Sequence, residues 1–193
     1  MSAPKILVFA GSTRAGSHNV KLAALAVKEL TLIDADVTRI SLADYPLPIY
    51  EADLEIKGGP PAPALELKQM IMAHHGVLIA SPEYSASVTP LLKNAIDWVS
   101  RVRERGDPTY AAFKGRVFAI SSASPGKAGG LRSLMALRQI LELGCGALMI
   151  PEQVAIAQAD TAFDDMDNII DTGTANLFRA QLARLVDMAR LMN

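Results

Sequence analysis

Residues 6–19 read ILVFAGSTRAGSHN, a short apolar run followed by a loop of glycines, hydroxyl-bearing residues and one arginine. An apolar run of this length that ends at a glycine is typical of a strand buried on both faces. Beyond the loop, apolar side chains recur at helical spacing as far as Leu30, which predicts a helix over residues 17–30. The stretch therefore predicts a strand and a helix joined by a polar loop.

The same alternation continues along the rest of the chain. Apolar runs predict four more strands, at residues 36–40, 77–80, 117–121 and 147–150. Amphipathic stretches predict four more helices, over residues 64–73, 89–102, 128–143 and 174–192. Residues 45–63, rich in proline and glycine, are predicted to be a long irregular segment.

Strands that are apolar on both faces and separated by helices indicate a parallel sheet covered on both sides. We predict an α/β fold: one flavodoxin-like domain over residues 1–193, with a doubly wound five-stranded parallel sheet of order 2-1-3-4-5. In such a sheet, ligands bind in the loops that follow the carboxyl ends of the strands. The loops after strands one, three and four are therefore the candidate site.

Composition narrows the classes of function. The chain has 193 residues, half of them apolar, and a net charge of −1. This balance gives no electrostatic footprint for nucleic acid and argues against an acidic electron carrier that docks by charge. The apolar run near the N-terminus is too short for a signal sequence or a membrane span. Because Cys145 is the single cysteine, which fits a reducing compartment, we expect a cytoplasmic protein without membrane partners.

The first loop, residues 11–19, has the features of an anion site. Free backbone N–H groups at a helix N-terminus favour an anion there, and Ser12 and Ser17 add hydroxyl donors. Arg14 can bind a phosphate through two parallel hydrogen bonds. The simpler alternative is a polar loop in which Ser17 only caps the helix.

Two other nucleotide motifs fit this loop less well. Ser17 and His18 stand where a P-loop needs lysine followed by serine or threonine. The Gly-x-Gly-x-x-Gly fingerprint of dinucleotide-binding proteins is absent from the loop. A monophosphate is therefore favoured over a triphosphate or a pyrophosphate.

Three further motifs follow in order: PEY at residues 82–84, LKNAIDW at residues 92–98 and SPGKAGG at residues 124–130. Together with G-S-x-R-x-x-S-x-N in the first loop, they resemble the NADPH-dependent FMN reductase family, whose members include quinone, azo and chromate reductases. Family members commonly have asparagine after Pro-Glu-Tyr, whereas this chain has Ser85.

The resemblance implies a set of FMN contacts. It places the FMN phosphate against the first loop and the start of the helix, at Ser12, Arg14, Ser17, Asn19 and the backbone of Val20. It places the flavin ring against the second and third loops, at Pro82, Glu83, Tyr84, Ser85, Ser122, Ser124 and Gly126. The flavin itself is then the reactive group, and no catalytic side chain is expected.

The implied activity is hydride transfer from NADPH or NADH to FMN, followed by reduction of a quinone, azo compound, metal oxyanion or flavin in a ping-pong scheme. The family also implies a homodimer or homotetramer, and we expect residues 45–63 and a neighbouring subunit to contact the acceptor. The alternatives are a flavodoxin-type electron carrier that does not oxidise NAD(P)H and a phosphate-binding protein without flavin. No histidine or cysteine spacing indicates a metal site.

The sequence predicts the roles of several other residues less specifically. Asn94 and Lys93 either contact FMN or brace the second loop, and Trp98 is expected in the core. His18 is expected to face solvent and Cys145 to be buried and inert. The arginines at 101, 103 and 105 either bind the NADPH 2′-phosphate or form a solvated helix end.

Overall fold

The five predicted strands form one parallel sheet in the order β2-β1-β3-β4-β5, which confirms the predicted fold class. The structure is a computed structural model that describes residues 3–192. The strands are β1 Lys5–Ala10, β2 Asp36–Arg39, β3 Gly76–Ala80, β4 Val117–Ala123 and β5 Leu148–Ile156.

Helices cover both faces of the sheet. They are α1 His18–Thr31, α2 Ala52–Gly58, α3 Ala62–Met72, α4 Pro90–Arg101, α5 Leu131–Arg138 and α6 Thr172–Arg190. Alternate residues of β1 point to opposite faces, as the strand period requires. Ile6 and Val8 pack with α1 and α6, whereas Leu7 and Phe9 pack with α3, α4 and α5.

Helix α2 lies within the segment predicted to be irregular, so that prediction was wrong there. The Glu51 carboxylate accepts hydrogen bonds from the amides of Asp53 and Leu54 and so caps the helix N-terminus. None of the helix residues is buried. The sequence therefore carries no apolar periodicity from which this helix could be predicted.

The helix predicted over residues 128–143 begins later and changes type. Gly129 and Gly130 both have positive φ, and a Cβ atom on Gly129 would lie 2.8 Å from backbone atoms of β5. Helix α5 therefore starts at Leu131 and continues into a π-helix over Gln139–Gly144.

Strand β5 continues past Pro151, where the sequence predicted its end. A proline is tolerated because β5 is an edge strand. The pairing with β4 shifts register between Phe118 and Ile120. At this irregularity the side chain of Gln181 in α6 donates to the carbonyls of Ile120 (2.8 Å) and Glu152 (3.2 Å). Gln181 is fully buried and also accepts a hydrogen bond from the Ser121 hydroxyl at 2.6 Å.

A buried lysine fixes the loop after α4. Lys68 in α3 is fully buried and forms ion pairs with Glu104, at 2.8 Å, and with Asp107. Burial alone would lower the pKa of Lys68, but the two carboxylates outweigh it and the pKa is raised. The lysine therefore stays charged and ties α3 to this loop.

We expect Gln181→Leu to lower the free energy of unfolding by about 2 kcal/mol, because it leaves buried carbonyl groups without a donor. Urea unfolding measures the change, with Gln69→Leu on the exposed side of α3 as the matched control. Equal stability of Gln181→Leu and the native protein would show that the irregularity does not need this side chain.

Candidate functional site

Three loops meet where β1, β3 and β4 end. The Gly11 amide donates to the Ala80 carbonyl and the Ser81 amide to the Ser121 carbonyl, both at 2.8 Å, so the strand ends lie side by side. The loops enclose a cleft of about 110 Å³ lined by Ser12, Arg14, Ser17, His18, Asn19, Pro82, Glu83, Tyr84, Ala123, Ser124 and Pro125. The structure thus brings most of the predicted site residues together.

The start of α1 offers hydrogen-bond donors without partners. Ser17 is the N-cap residue, but its hydroxyl makes no capping hydrogen bond. Within residues 3–192, the amides of His18 and Asn19 have no acceptor and Arg14 has no ion-pair partner. The Arg14 guanidinium reaches only the carbonyls of Ala15 and Gly16, both at 3.4 Å. Free amides, a free hydroxyl and an unpaired guanidinium fit a bound phosphate group.

Two other predicted phosphate contacts have partners inside the protein. The Ser12 hydroxyl accepts a hydrogen bond from the Arg14 amide at 3.3 Å. The Val20 amide donates to the Ser17 carbonyl at 3.0 Å, as part of the first helical turn.

Thr89, which sequence reasoning missed, donates to the Gly11 carbonyl at 2.7 Å and caps α4. Its place before Pro90, which begins α4, is the signal that could have identified it.

The side chain of Asn19 connects α1 to β4. Its Nδ2 donates to the Ala123 carbonyl at 2.8 Å, and its Oδ1 accepts from the Ala123 amide at 3.0 Å. Asn19 is only 2% exposed. The amide side chain is therefore engaged with backbone, while the backbone N–H of Asn19 is free.

His18 does not face solvent as predicted. Its side chain is only 19% exposed, and Nε2 lies 3.0 Å from the Asp160 carboxylate. Asp160 follows β5 and lies 142 positions away in the sequence. The contact was not predictable from local sequence because only the fold brings the two residues together.

The second loop contains a tight β-hairpin. Tyr84 and Ser87 exchange both backbone hydrogen bonds, at 3.0 and 2.9 Å. Between them, Ser85 and Ala86 have φ values of 48° and 62°. Such two-residue turns favour asparagine and glycine, so the asparagine common in the family suits position 85 better than serine does. Tyr84 is 51% exposed at the cleft, whereas Ser85 lies outside the cleft lining.

Glu83 binds the start of α5. Its Oε2 accepts from the amides of Arg132 (3.1 Å) and Ser133 (3.3 Å), and its Oε1 pairs with the Arg132 guanidinium. Burial by itself raises the pKa of Glu83, but these hydrogen bonds and the guanidinium outweigh it and the pKa is lowered. The Ser133 hydroxyl also donates to the Pro82 carbonyl at 2.9 Å. The carboxylate is thus ionised and holds the second loop against α5.

The third loop contributes Ser124 and Pro125 to the cleft lining, whereas Ser122 and Gly126 lie outside it. Ser122 is fully buried, and its hydroxyl has no partner among the described residues. A Cβ atom on Gly130 would lie 1.9 Å from that hydroxyl oxygen, so Ser122 sits directly beneath the start of α5. The Gly126 carbonyl accepts a hydrogen bond from the Gly129 amide at 3.1 Å.

Residues of α4 form hydrogen bonds with the segment that follows β2. Asn94 accepts from the Tyr50 amide at 2.8 Å and donates to the Pro48 carbonyl at 2.9 Å, which favours the bracing alternative. Trp98 is buried, as expected, and also donates to the Pro48 carbonyl. Arg101, at the opposite end of α4 from the cleft, binds Glu55 at 2.9 Å.

Cys145 is buried, as expected. Burial is the main cause that raises the pKa of its thiol to about 11, and the nearby Asp97 adds to the shift. At neutral pH the thiol is therefore protonated and unreactive.

A larger groove of about 600 Å³ lies at the end of β5. It is lined by Ala155, Ile156, Ala157, Gln158, Thr161, Ala162, Ile169, Ile170, Asp171, Thr172 and Thr174, which include no basic side chain. The groove therefore lacks a positive charge such as the one that Arg14 brings to the smaller cleft.

Across residues 3–192, no cluster of histidine, cysteine, aspartate and glutamate side chains could hold a metal ion. In the same part of the chain, no helix is both long and apolar enough to cross a membrane.

Comparison with known proteins identifies the family. Residues 4–161 match the family described as NADPH-dependent FMN reductase. An NAD(P)H-dependent FMN reductase of Pseudomonas aeruginosa is 37% identical over 183 residues, covering 94% of this chain and 92% of the relative. A quinone reductase of Escherichia coli is 33% identical over 180 residues, covering 92% of this chain and 91% of the relative.

A solved structure agrees with these matches. The flavoenzyme NAD(P)H:(acceptor) oxidoreductase of Paracoccus denitrificans superposes with a TM-score of 0.77 at 30% identity, covering 98% of each chain. These matches confirm the predicted family, the oxidoreductase class, and FMN with NAD(P)H as cofactors. The chain belongs to the NADPH-dependent FMN reductase family.

Proposed function

We propose that this protein takes a hydride from NADPH or NADH and reduces a quinone, azo compound, metal oxyanion or flavin by a ping-pong scheme. The observation that carries the proposal is the set of unpartnered donors at the start of α1, in the cleft where the three loops meet. FMN, when bound, supplies the group that accepts the hydride and passes electrons to the acceptor.

The first loop would hold the phosphate through the Ser17 hydroxyl, the Arg14 guanidinium and the amides of His18 and Asn19. These groups need no rearrangement to become available, because none of them has a strong partner within the described residues. Pro82, Tyr84 and Ser124 line the adjoining part of the cleft, where the ring would lie. Glu83 holds the second loop in place and, being ionised, does not serve as a proton donor.

A cavity of about 260 Å³ supports acceptor binding by the segment after β2. It is lined by Thr13 of the first loop and by Leu42, Ala43, Tyr45, Pro46, Leu47, Leu91, Asn94 and Ala95. The lining is mainly apolar with a few polar groups, which suits a flat, weakly polar molecule such as a quinone.

We also propose a homodimer or homotetramer in the cytoplasm. Leu92, Ala95 and Val99 of α4 are buried in the core, whereas Leu91 of the same helix is exposed. Leu131 and Met135 of α5 remain exposed and support an interface there.

The purified protein is expected to carry about one FMN per chain and to oxidise NADPH with a quinone faster than free FMN does. Arg14→Ala is expected to weaken FMN binding roughly 10- to 100-fold and to leave riboflavin binding unchanged, because it removes a charge-assisted contact to phosphate. Arg184→Ala, an exposed arginine of α6 outside the cleft, is the matched control.

Absorbance spectra and flavin titrations measure these effects. A protein that stays colourless with FMN would favour the phosphate-binding alternative. A yellow protein that does not oxidise NADPH above the free-FMN rate would be an electron carrier.

We expect Leu91→Ser to raise KM for a quinone about three- to tenfold, with kcat little changed, because it removes apolar contact area from the 260 Å³ cavity. Leu91 is 36% exposed, so the fold tolerates the change. Leu177→Ser, an exposed leucine of α6 outside this cavity, is the control. An unchanged KM for every acceptor tried would place acceptor binding elsewhere.

The hairpin of the second loop yields a further prediction. Ser85→Asn combined with Ala86→Gly is expected to raise the free energy of unfolding of the apoprotein by about 1 kcal/mol, since both new residues tolerate positive φ. Ala128→Gly, in an exposed turn where φ is not positive, is expected to lower it instead. Chemical denaturation of the three apoproteins measures the difference, and a destabilised double variant would contradict the role assigned to the turn.

A further inference from the structure

The amide side chain of Asn19 takes the place of a neighbouring strand. Strand β3 ends at Ala80, whose partner on β4 is Ser121. Strand β4 continues for two more residues to Ala123, on the side where β3 has ended. There the Asn19 side chain donates to the carbonyl of Ala123 and accepts from its amide, the pair of bonds that a backbone would make.

This contact fixes one side of the third loop. The other side is bonded to β5 and the chain after it, through the Ser124 amide with the Ile156 carbonyl (3.0 Å) and the Ala159 amide with the Ser124 carbonyl (3.1 Å). Asn19 is the second residue of α1 and follows directly after Ser17 and His18 of the proposed phosphate site. Its side chain therefore sets the separation between the part of the cleft that takes phosphate and the part that takes the ring.

We propose that Asn19 is a positioning residue: its side chain holds the third loop at a fixed distance from α1, and only its backbone N–H is available to the phosphate. This inference rests on the proposed FMN site. The family resemblance implies an FMN contact at Asn19, and within residues 3–192 the backbone N–H is the polar group of this residue that is left to make it. Both polar atoms of that side chain already have partners, and the residue is almost fully buried.

The two roles predict different ligand selectivity. A side chain that binds phosphate contributes to the affinity for FMN and not to that for riboflavin, which lacks the phosphate. A side chain that positions the third loop contributes equally to both. Asn19→Ala is therefore expected to weaken FMN and riboflavin by the same factor, about tenfold for the loss of two hydrogen bonds.

Apoprotein titrations with FMN and with riboflavin test this, with Arg14→Ala as the reference for a phosphate contact. The absorbance spectrum and the reduction potential of the bound flavin, measured at saturation, are expected to change in Asn19→Ala and not in Arg14→Ala. Loss of FMN affinity alone, or an unchanged spectrum and potential at saturation, would overturn the positioning role.

Hydrogen exchange of the native protein tests the same contact without requiring that a variant fold. The Ala123 amide is expected to be protected from hydrogen exchange in the native apoprotein, and Asn19→Ser, which leaves a shorter polar side chain, is expected to lose that protection. Rapid exchange of this amide in the native protein would overturn the inference. If the native protein binds neither flavin, the proposed function fails. Protection of the Ala123 amide still shows whether the Asn19 side chain holds the third loop.

Discussion

The site depends on one constraint: three neighbouring parallel strands end at the same edge of the sheet, where their last backbone groups lose their strand partners. Buried groups of this kind need other hydrogen-bond partners. The Asn19 side chain donates to the Ala123 carbonyl, and the Thr89 hydroxyl donates to the Gly11 carbonyl. At the start of α5, the Glu83 carboxylate accepts a hydrogen bond from the first amides of the helix. The amides of His18 and Asn19 and the hydroxyl of Ser17 have no such partner within residues 3–192, and these three residues line the cleft.

Much of this arrangement could be predicted from the sequence, because the determinants are local. Apolar runs predicted the five strands, and the motif at residues 11–19 predicted residues that line the cleft. The missed features depend on contacts between distant residues. Gln181 satisfies backbone at the irregularity between β4 and β5, and Asp160 draws His18 away from solvent. The sequence around Gln181 or Asp160 does not indicate which distant residue each of them contacts. Helix α2 escaped prediction for the opposite reason, since it buries nothing.

The same limit applies within the site. A motif reports which residues are near a ligand but not which of their atoms are free to bind it. Glu83 and Asn19 both belong to motifs of the family, yet their side chains hold protein backbone. Arg14 and Ser17 belong to the motif of the first loop, but the Arg14 guanidinium makes only two long hydrogen bonds to backbone, at 3.4 Å, and the Ser17 hydroxyl makes no capping hydrogen bond. Residues that position the loops and residues that are free to bind a ligand can be distinguished only from their hydrogen bonds in the folded chain.

The burial of Cys145 has a chemical consequence for the proposed reduction of quinones. Quinones are electrophiles, and a thiolate adds to them covalently. With its pKa raised to about 11 and its sulfur inside the core, Cys145 presents almost no thiolate to solution at neutral pH. As the single cysteine of the chain, it is the residue through which such an acceptor would otherwise alkylate the protein. The fold thereby keeps this thiol from reacting with the compounds that the enzyme is proposed to reduce.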